Sequence, residues 1–145
     1  MHHNGTLEAD WLILFDGVPE ATRSALREVV LTHRESMAVA FYARMMSDLD
    51  ARPFLTPEAV ETRLRQSMQR WLETRFSCTD RDQFAAAMAM QRHVGEVHAR
   101  IELPVNIVAR GARVLKGEIA RRLLEAGLDG EALIDAVLYA DNLID

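Results

Sequence analysis

The chain has 145 residues and a formal net charge of -5 at pH 7; 49% of its residues are hydrophobic and 27% charged, with only 7 glycines and 4 prolines. That length suits one domain, residues 1–145, with a core large enough to hold a cavity, and the composition is that of packed helices rather than disorder. The acidic balance excludes the clustered basic surface that nucleic acid requires, and no run approaches the roughly 20 apolar residues that cross a bilayer.

Apolar residues recur at helical spacing almost throughout, and no segment alternates with period two long enough for a strand, so the expected fold class is all-α. A short helix is expected from about Leu7 to Leu14, ended by Gly17-Val18-Pro19. A second runs from about Glu20 to His33, with Pro19 just before its first turn. A third spans about Ser36 to Leu49 and is stopped by Pro53. Its stripe of Ala38, Tyr42, Met45, Met46 and Leu49 places one phenol on an apolar face, and a buried hydroxyl needs a partner.

Thr56-Pro57-Glu58 opens the next helix with a capping threonine and a proline at the first helical position, and the pattern continues to about Phe76. On it, Leu64 shares a face with Val60, Ser67, Met68 and Trp71. Thr79 or Asp80 caps another helix, which carries His98 and ends before Pro104. A long helix follows to about Ala126, stopped by Gly127. The last runs from about Asp129 to the end and is still apolar on one face at Leu133, Val137, Leu138, Leu143 and Ile144. That unfinished face suggests a domain cut from a longer polypeptide.

His98 is the residue that most needs a reason. At about 100° per residue its face partners are Val94, Ile101, Glu102 and Val105, three of them aliphatic. His93 points about 140° away, so the two histidines cannot share one metal ion. Two readings stay open on these residues alone. His98 is a buried ring bonded to a backbone carbonyl, or it is an axial metal ligand whose second nitrogen bonds a carbonyl one turn back, such as that of Val94.

Other chemistry has little support. The chain lacks the Glu-x-x-His pairs of di-iron bundles and any glycine-rich phosphate loop. Cys78 lies at a predicted helix end with no sign of a histidine partner, and Arg63 with Arg65 and Arg121 with Arg122 read as solvated faces. A lone cysteine forms no internal disulfide and no secretory leader opens the chain, so a cytoplasmic location is expected. His2 and His3 are given no function.

Several segments are similar to a known family, the globin-coupled sensors, and in particular the oxygen-sensor globins linked to diguanylate cyclases. They are Ala40-Phe41-Tyr42, Phe54-Leu55-Thr56, Val60-Glu61 with Leu64, Ser67-Met68-Gln69-Arg70-Trp71, Val97-His98-Ala99-Arg100-Ile101 with Pro104-Val105, and Gly111-Ala112-Arg113-Val114-Leu115-Lys116. Together they extend over residues 36 to 120 in matching order and spacing.

The resemblance implies a globin fold with an extra short amino-terminal helix and a bound haem. It makes His98 the proximal ligand of the iron, Tyr42 the distal hydrogen-bond donor, Leu64 the distal guard and Ser67 a second distal hydroxyl. Phe41, Phe54, Met68, Trp71, Val94, Val97, Ile101 and Val105 become pocket walls. Because there is no Cys-x-x-Cys-His, the expected cofactor is noncovalent haem b. The implied ligands are O2, and also CO and NO; the implied partners are a second copy, through the last two helices, and an output domain after Asp145, a diguanylate cyclase in the sensors it resembles. The chain itself would catalyse nothing. Two alternatives stand beside this reading: a haem enzyme that oxidises nitric oxide or reduces peroxide, and a haem-free helical dimerisation module.

Overall fold

The computed structural model describes residues 2–89 and 91–144, and among them no strand occurs. The elements are α1 (His2–Gly17), α2 (Glu20–Ser47), a 3-10 turn (Arg52–Phe54), α3 (Pro57–Ala59), a π turn (Val60–Leu64), α4 (Arg65–Phe76), α5 (Arg81–Ala89), α6 (Gln91–Arg100), α7 (Val105–Glu125) and α8 (Gly130–Ile144). The all-α expectation therefore holds, with four differences of detail.

The amino-terminal helix covers 16 residues rather than the eight or so its apolar pattern marked out. The helices expected on either side of residues 33–36 are one continuous helix of 28 residues. Nothing local breaks it: Ser36, a plausible cap in sequence, turns its hydroxyl back to the His33 carbonyl at 3.0 Å, which a helix interior tolerates. This helix ends at Ser47, where Asp48 takes over: its carboxylate accepts from the Asp50 and Ala51 N–H groups, 2.9 and 3.2 Å away. Leu49, placed on the Tyr42 stripe by periodicity, thus falls beyond the helix and is exposed.

The third difference lies between Thr56 and Phe76. Thr56 caps as its sequence context indicates, accepting from Ala59 N–H at 3.1 Å. The helix then opens into a π turn over Val60–Leu64, with the Arg65 N–H reaching back to the Val60 carbonyl. One such wide turn inserts an extra residue and is often found beside functional sites. The fourth concerns the His98 helix, which ends at Arg100, so Val105 belongs to α7 and does not share a helix face with His98.

Helix α2 is the centre of the molecule and packs against α4, α7 and α8; α7 packs on α8, and α1 and α4 on α5. The main core joins Leu26, Val30 and Met37 of α2 with Leu72 and Phe76 of α4, Phe84 of α5, Leu115, Ile119 and Leu123 of α7, and Tyr139 and Leu143 of α8. A smaller cluster of Met45, Ala51 and Ile107 closes the opposite end, and Phe41 packs against both. Arg110 pins that end by ion pairs to Asp48 and Asp50 at 3.1 and 2.9 Å. The turn after α7 places Gly127 at φ 95°, a conformation that glycine adopts without steric cost, and lets Leu128 N–H reach the Leu123 carbonyl at 3.2 Å.

The final helix is less bare than its sequence suggests. Leu143 and Ile144 are core residues, and Leu133 and Val137 pack partly against the core. Of the face read from the sequence Leu138 stays exposed, and Ile134 is exposed with it. Among the described residues no helix is long and apolar enough to cross a membrane.

Candidate functional site

His98 sits in the last turn of α6, whose end is closed by a double backbone bond. Glu102 N–H donates to the Ala99 carbonyl and Leu103 N–H to the His98 carbonyl, each at 3.0 Å. This is the helix stop in which one residue takes the left-handed conformation, and here that residue is Glu102, at φ 57°. A non-glycine there costs roughly 1–2 kcal/mol, offset by the satisfied carbonyls and by Leu103, which packs against the Met45 and Ile107 cluster. Pro104 then starts α7. The His98 carbonyl is thus committed to Leu103, which fixes the turn that carries the imidazole.

The ring itself is half-buried, and among the described residues it makes no hydrogen bond or ion pair. Desolvation pushes its pKa below the ordinary histidine value, favouring the neutral imidazole. That is the form in which a ring nitrogen ligates a metal. His93 lies outside the residues whose side chains are described. No group of three or more His, Cys, Asp or Glu that could hold a metal ion occurs among the described residues.

The second candidate residue is Tyr42 of α2. Buried near the carboxyl end of α2, it lines a cleft of about 240 Å³ with Ala43, Met46, Pro57, Val60, Glu61 and Arg65. Phe41 sets its orientation edge-on, with ring centroids 4.9 Å apart at 89°. Phe41 is held in turn against Gly111, where even a Cβ would come within 3.3 Å of its ring. The Tyr42 hydroxyl has no hydrogen-bond partner among the described residues. Burial pushes its pKa up to about 12, outweighing the positive charge of Arg63, so the phenol keeps its proton at neutral pH and can only be an O–H donor or a neutral acceptor.

The remaining predicted residues divide by exposure. Leu64, Ser67, Met68 and Trp71 are half-buried along the π turn and α4, and Met68, Trp71 and Phe41 rest one side on the main core. Val94 is half-buried, whereas Phe54, Val97, Ile101 and Val105 are exposed, Val105 by 84%. Of the predicted set only Tyr42 lines the 240 Å³ cleft. Among the described residues the Trp71 indole N–H is buried without a hydrogen-bond partner, as is the Nε–H of Arg65. A half-buried neutral imidazole, an unpartnered phenol, an orphaned indole N–H and bare aliphatic side chains fit a large, flat, mostly apolar group carrying one metal ion.

One residue was misread in sequence and another went unremarked: Arg65, expected on a solvated face, is half-buried with its Nε enclosed. Arg65 lines the Tyr42 cleft, and only the π turn brings it there. Arg75 is 2% exposed and binds backbone carbonyls, Nε to Leu143 at 2.9 Å and Nη1 to Ala87, while its guanidinium lies 5.6 Å from the Trp71 ring centre. Its position one turn after Trp71 and three residues after Leu72, on the apolar face, was the available signal.

The sequence matches the Protoglobin family model over residues 7–144. It is 34% identical over 139 residues to the diguanylate cyclase DosC of Shigella flexneri serotype 5b, covering 96% of this chain and 36% of the relative. DosC of Escherichia coli K12 is also 34% identical over 139 residues, with 30% of its length covered. The chain therefore spans about a third of the length of these curated relatives. Among solved structures, the globin domain of E. coli DosC, crystallised in forms described as ferrous and ferric, superimposes with a TM-score of 0.86 at 28% identity, covering 97% of this chain and 93% of that one.

Proposed function

The chain belongs to the protoglobin family, and on that premise we propose that it is the haem-binding sensor of a diatomic gas, foremost O2, which regulates a diguanylate cyclase joined after residue 145. The observation that supports the reading is that two polar side chains of the right kinds, one on α2 and one on α6, have no hydrogen-bond partner among the described residues. His98 offers a neutral, unpartnered imidazole, and Tyr42 an unpartnered, protonated phenol.

Noncovalent haem b, when bound, would supply an iron able to bind a diatomic gas. His98 holds that iron in this reading, its ring placed by the closed turn at Glu102 and Leu103. Tyr42 would donate a hydrogen bond from its hydroxyl to a bound gas molecule. O2 gains partial negative charge at iron whereas CO gains much less, so an O–H donor selects between them. Leu64 adds bulk without a donor, Ser67 offers a second hydroxyl, and Phe41, Met68 and Trp71 keep water from the pocket. Phe54, Val94, Val97, Ile101 and Val105 supply apolar surface that the cofactor covers.

Signal leaves through the last two helices. Leu124 at the end of α7 and Ile134 and Leu138 on α8 stay exposed, and we assign them to a homodimer interface whose geometry the gas ligand shifts. The absorption spectrum of the purified chain in its ferric, ferrous and oxygenated forms tests the reading. A Soret band that responds to O2 is expected; none after haem is supplied would leave a helical module in which His98 is only packed.

A further inference from the structure

A second cluster of chemistry lies where α2, α4 and α8 meet. Arg23 and Arg27 of α2 and Arg75 of α4 converge on a small cavity of about 10 Å³, closed by Cys78, Tyr139 and Leu143, with no carboxylate in its lining. Buried cations are ordinarily paired with an anion. Here none of the three has a carboxylate within ion-pair distance among the described residues.

The three arginines are not equally engaged. Arg23 binds the Phe15 carbonyl at 2.7 Å and that of Val18, and stacks on the Phe15 ring. Arg75 spends its fork on the carbonyls of Leu143 and Ala87. Arg27 makes only two long bonds, to the Cys78 carbonyl and the Ser24 hydroxyl, both at 3.4 Å. Tyr139 is 4% exposed, yet its hydroxyl has no hydrogen-bond partner among the described residues. Its ring is fixed by stacking on Phe84 at 5.7 Å, and its hydroxyl feels Cys78, Arg23 and Arg27 together.

The lining is rich in donors and poor in acceptors. The Leu143 carbonyl already accepts twice from Arg75, and the Cys78 carbonyl accepts from Arg27. A cavity of this size has room for a single small occupant. A water molecule must place two protons as well as receive them, whereas an anion only accepts.

We propose that this cavity binds a monatomic anion, chloride being the physiological one, held by Arg27 and the Tyr139 hydroxyl with Arg23 and Arg75 supplying the surrounding charge. Such an ion ties α2, α4 and α8 together at the carboxyl end of α8, where Leu143 already meets Arg75. Half-buried Arg27, with its long bonds, is the group that adjusts to the ion's radius.

The test is the melting temperature of the purified chain in sodium chloride against sodium gluconate at equal ionic strength and pH. A saturable rise in chloride is expected, about 3 °C at ten times the half-saturating concentration. Tyr139→Phe, which keeps the ring, should raise that concentration about tenfold, as loss of one charge-assisted bond implies. Arg27→Gln should raise it at least as much. A crystal soaked in bromide should show an anomalous peak within hydrogen-bond distance of Tyr139 Oη. Superimposable chloride and gluconate curves, a chloride response retained in both variants, or a bromide-free cavity holding water would each overturn the proposal.

Discussion

Tyr42→Phe separates the role of a hydroxyl from that of the ring that carries it. The ring stays packed edge-on to Phe41, and the hydroxyl it loses has no protein partner among the described residues. The folded protein therefore gives up almost nothing, and stability by urea unfolding should change by less than about 0.5 kcal/mol. The gas ligand loses its donor. A hydrogen bond to a charged group contributes about 1.5–3 kcal/mol, and each 1.4 kcal/mol is tenfold, so O2 should leave the haem-loaded protein about 10- to 100-fold faster. CO, with less charge to stabilise, should leave no more than about threefold faster. Stopped-flow displacement of O2 and of CO measures both rates on one sample. Equal acceleration of the two gases would refute Tyr42 as the oxygen-selective donor. A stability loss above about 1 kcal/mol would show that the hydroxyl bonds within the protein instead.

His98→Ala should bind haem weakly or with altered coordination; an unchanged ferrous spectrum would remove His98 as the iron ligand. Arg75→Ala strands the Leu143 and Ala87 carbonyls in the core and should cost about 3–5 kcal/mol by urea unfolding, with a loss under about 1 kcal/mol contradicting the assigned bonds. At high pH the unfolded chain ionises Tyr42 near 10 while the fold holds it to about 12. That stability is present below pH 10 and disappears as pH rises through 12, about 3 kcal/mol in all, and a Tyr42→Phe protein should lack that part of the alkaline loss. Leu138→Asp places a charge among exposed apolar residues of α8 and should shift sedimentation to the monomer; an unchanged dimer would move the interface elsewhere.

Much of the fold is legible along the chain because its punctuation is chemical and local. Thr56 with Pro57, Asp80 with Gln83, Pro104 and Gly127 each act through their own backbone geometry: Asp80 accepts from Gln83 N–H at 2.8 Å and Gly127 takes the left-handed turn. The same locality explains the misplaced break near Ser36. A serine is a cap only where the helix has another reason to begin, and the pairing of its hydroxyl with His33 is equally good in a helix interior.

The candidate site was legible in residue type but not in arrangement. That Tyr42 and His98 are polar groups on apolar faces follows from helical period alone, and their pairing in one site came from likeness to known sensors. Period says which side of a helix is apolar and nothing about what covers it. Only packing decides that Leu143 and Ile144 enter the core while Ile134 and Leu138 do not. Only the wide turn at Val60–Leu64 brings Arg65 beside Tyr42. And only the meeting of α4, α5 and α8 gives Arg75 its carbonyls, since those acceptors lie 12 and 68 residues away in the chain. Periodicity and local punctuation made the helical class, several of the stops and the chemical kinds of side chain at the site readable; tertiary contact decided which of those side chains are buried, paired or left open, because burial belongs to pairs of surfaces and not to either one.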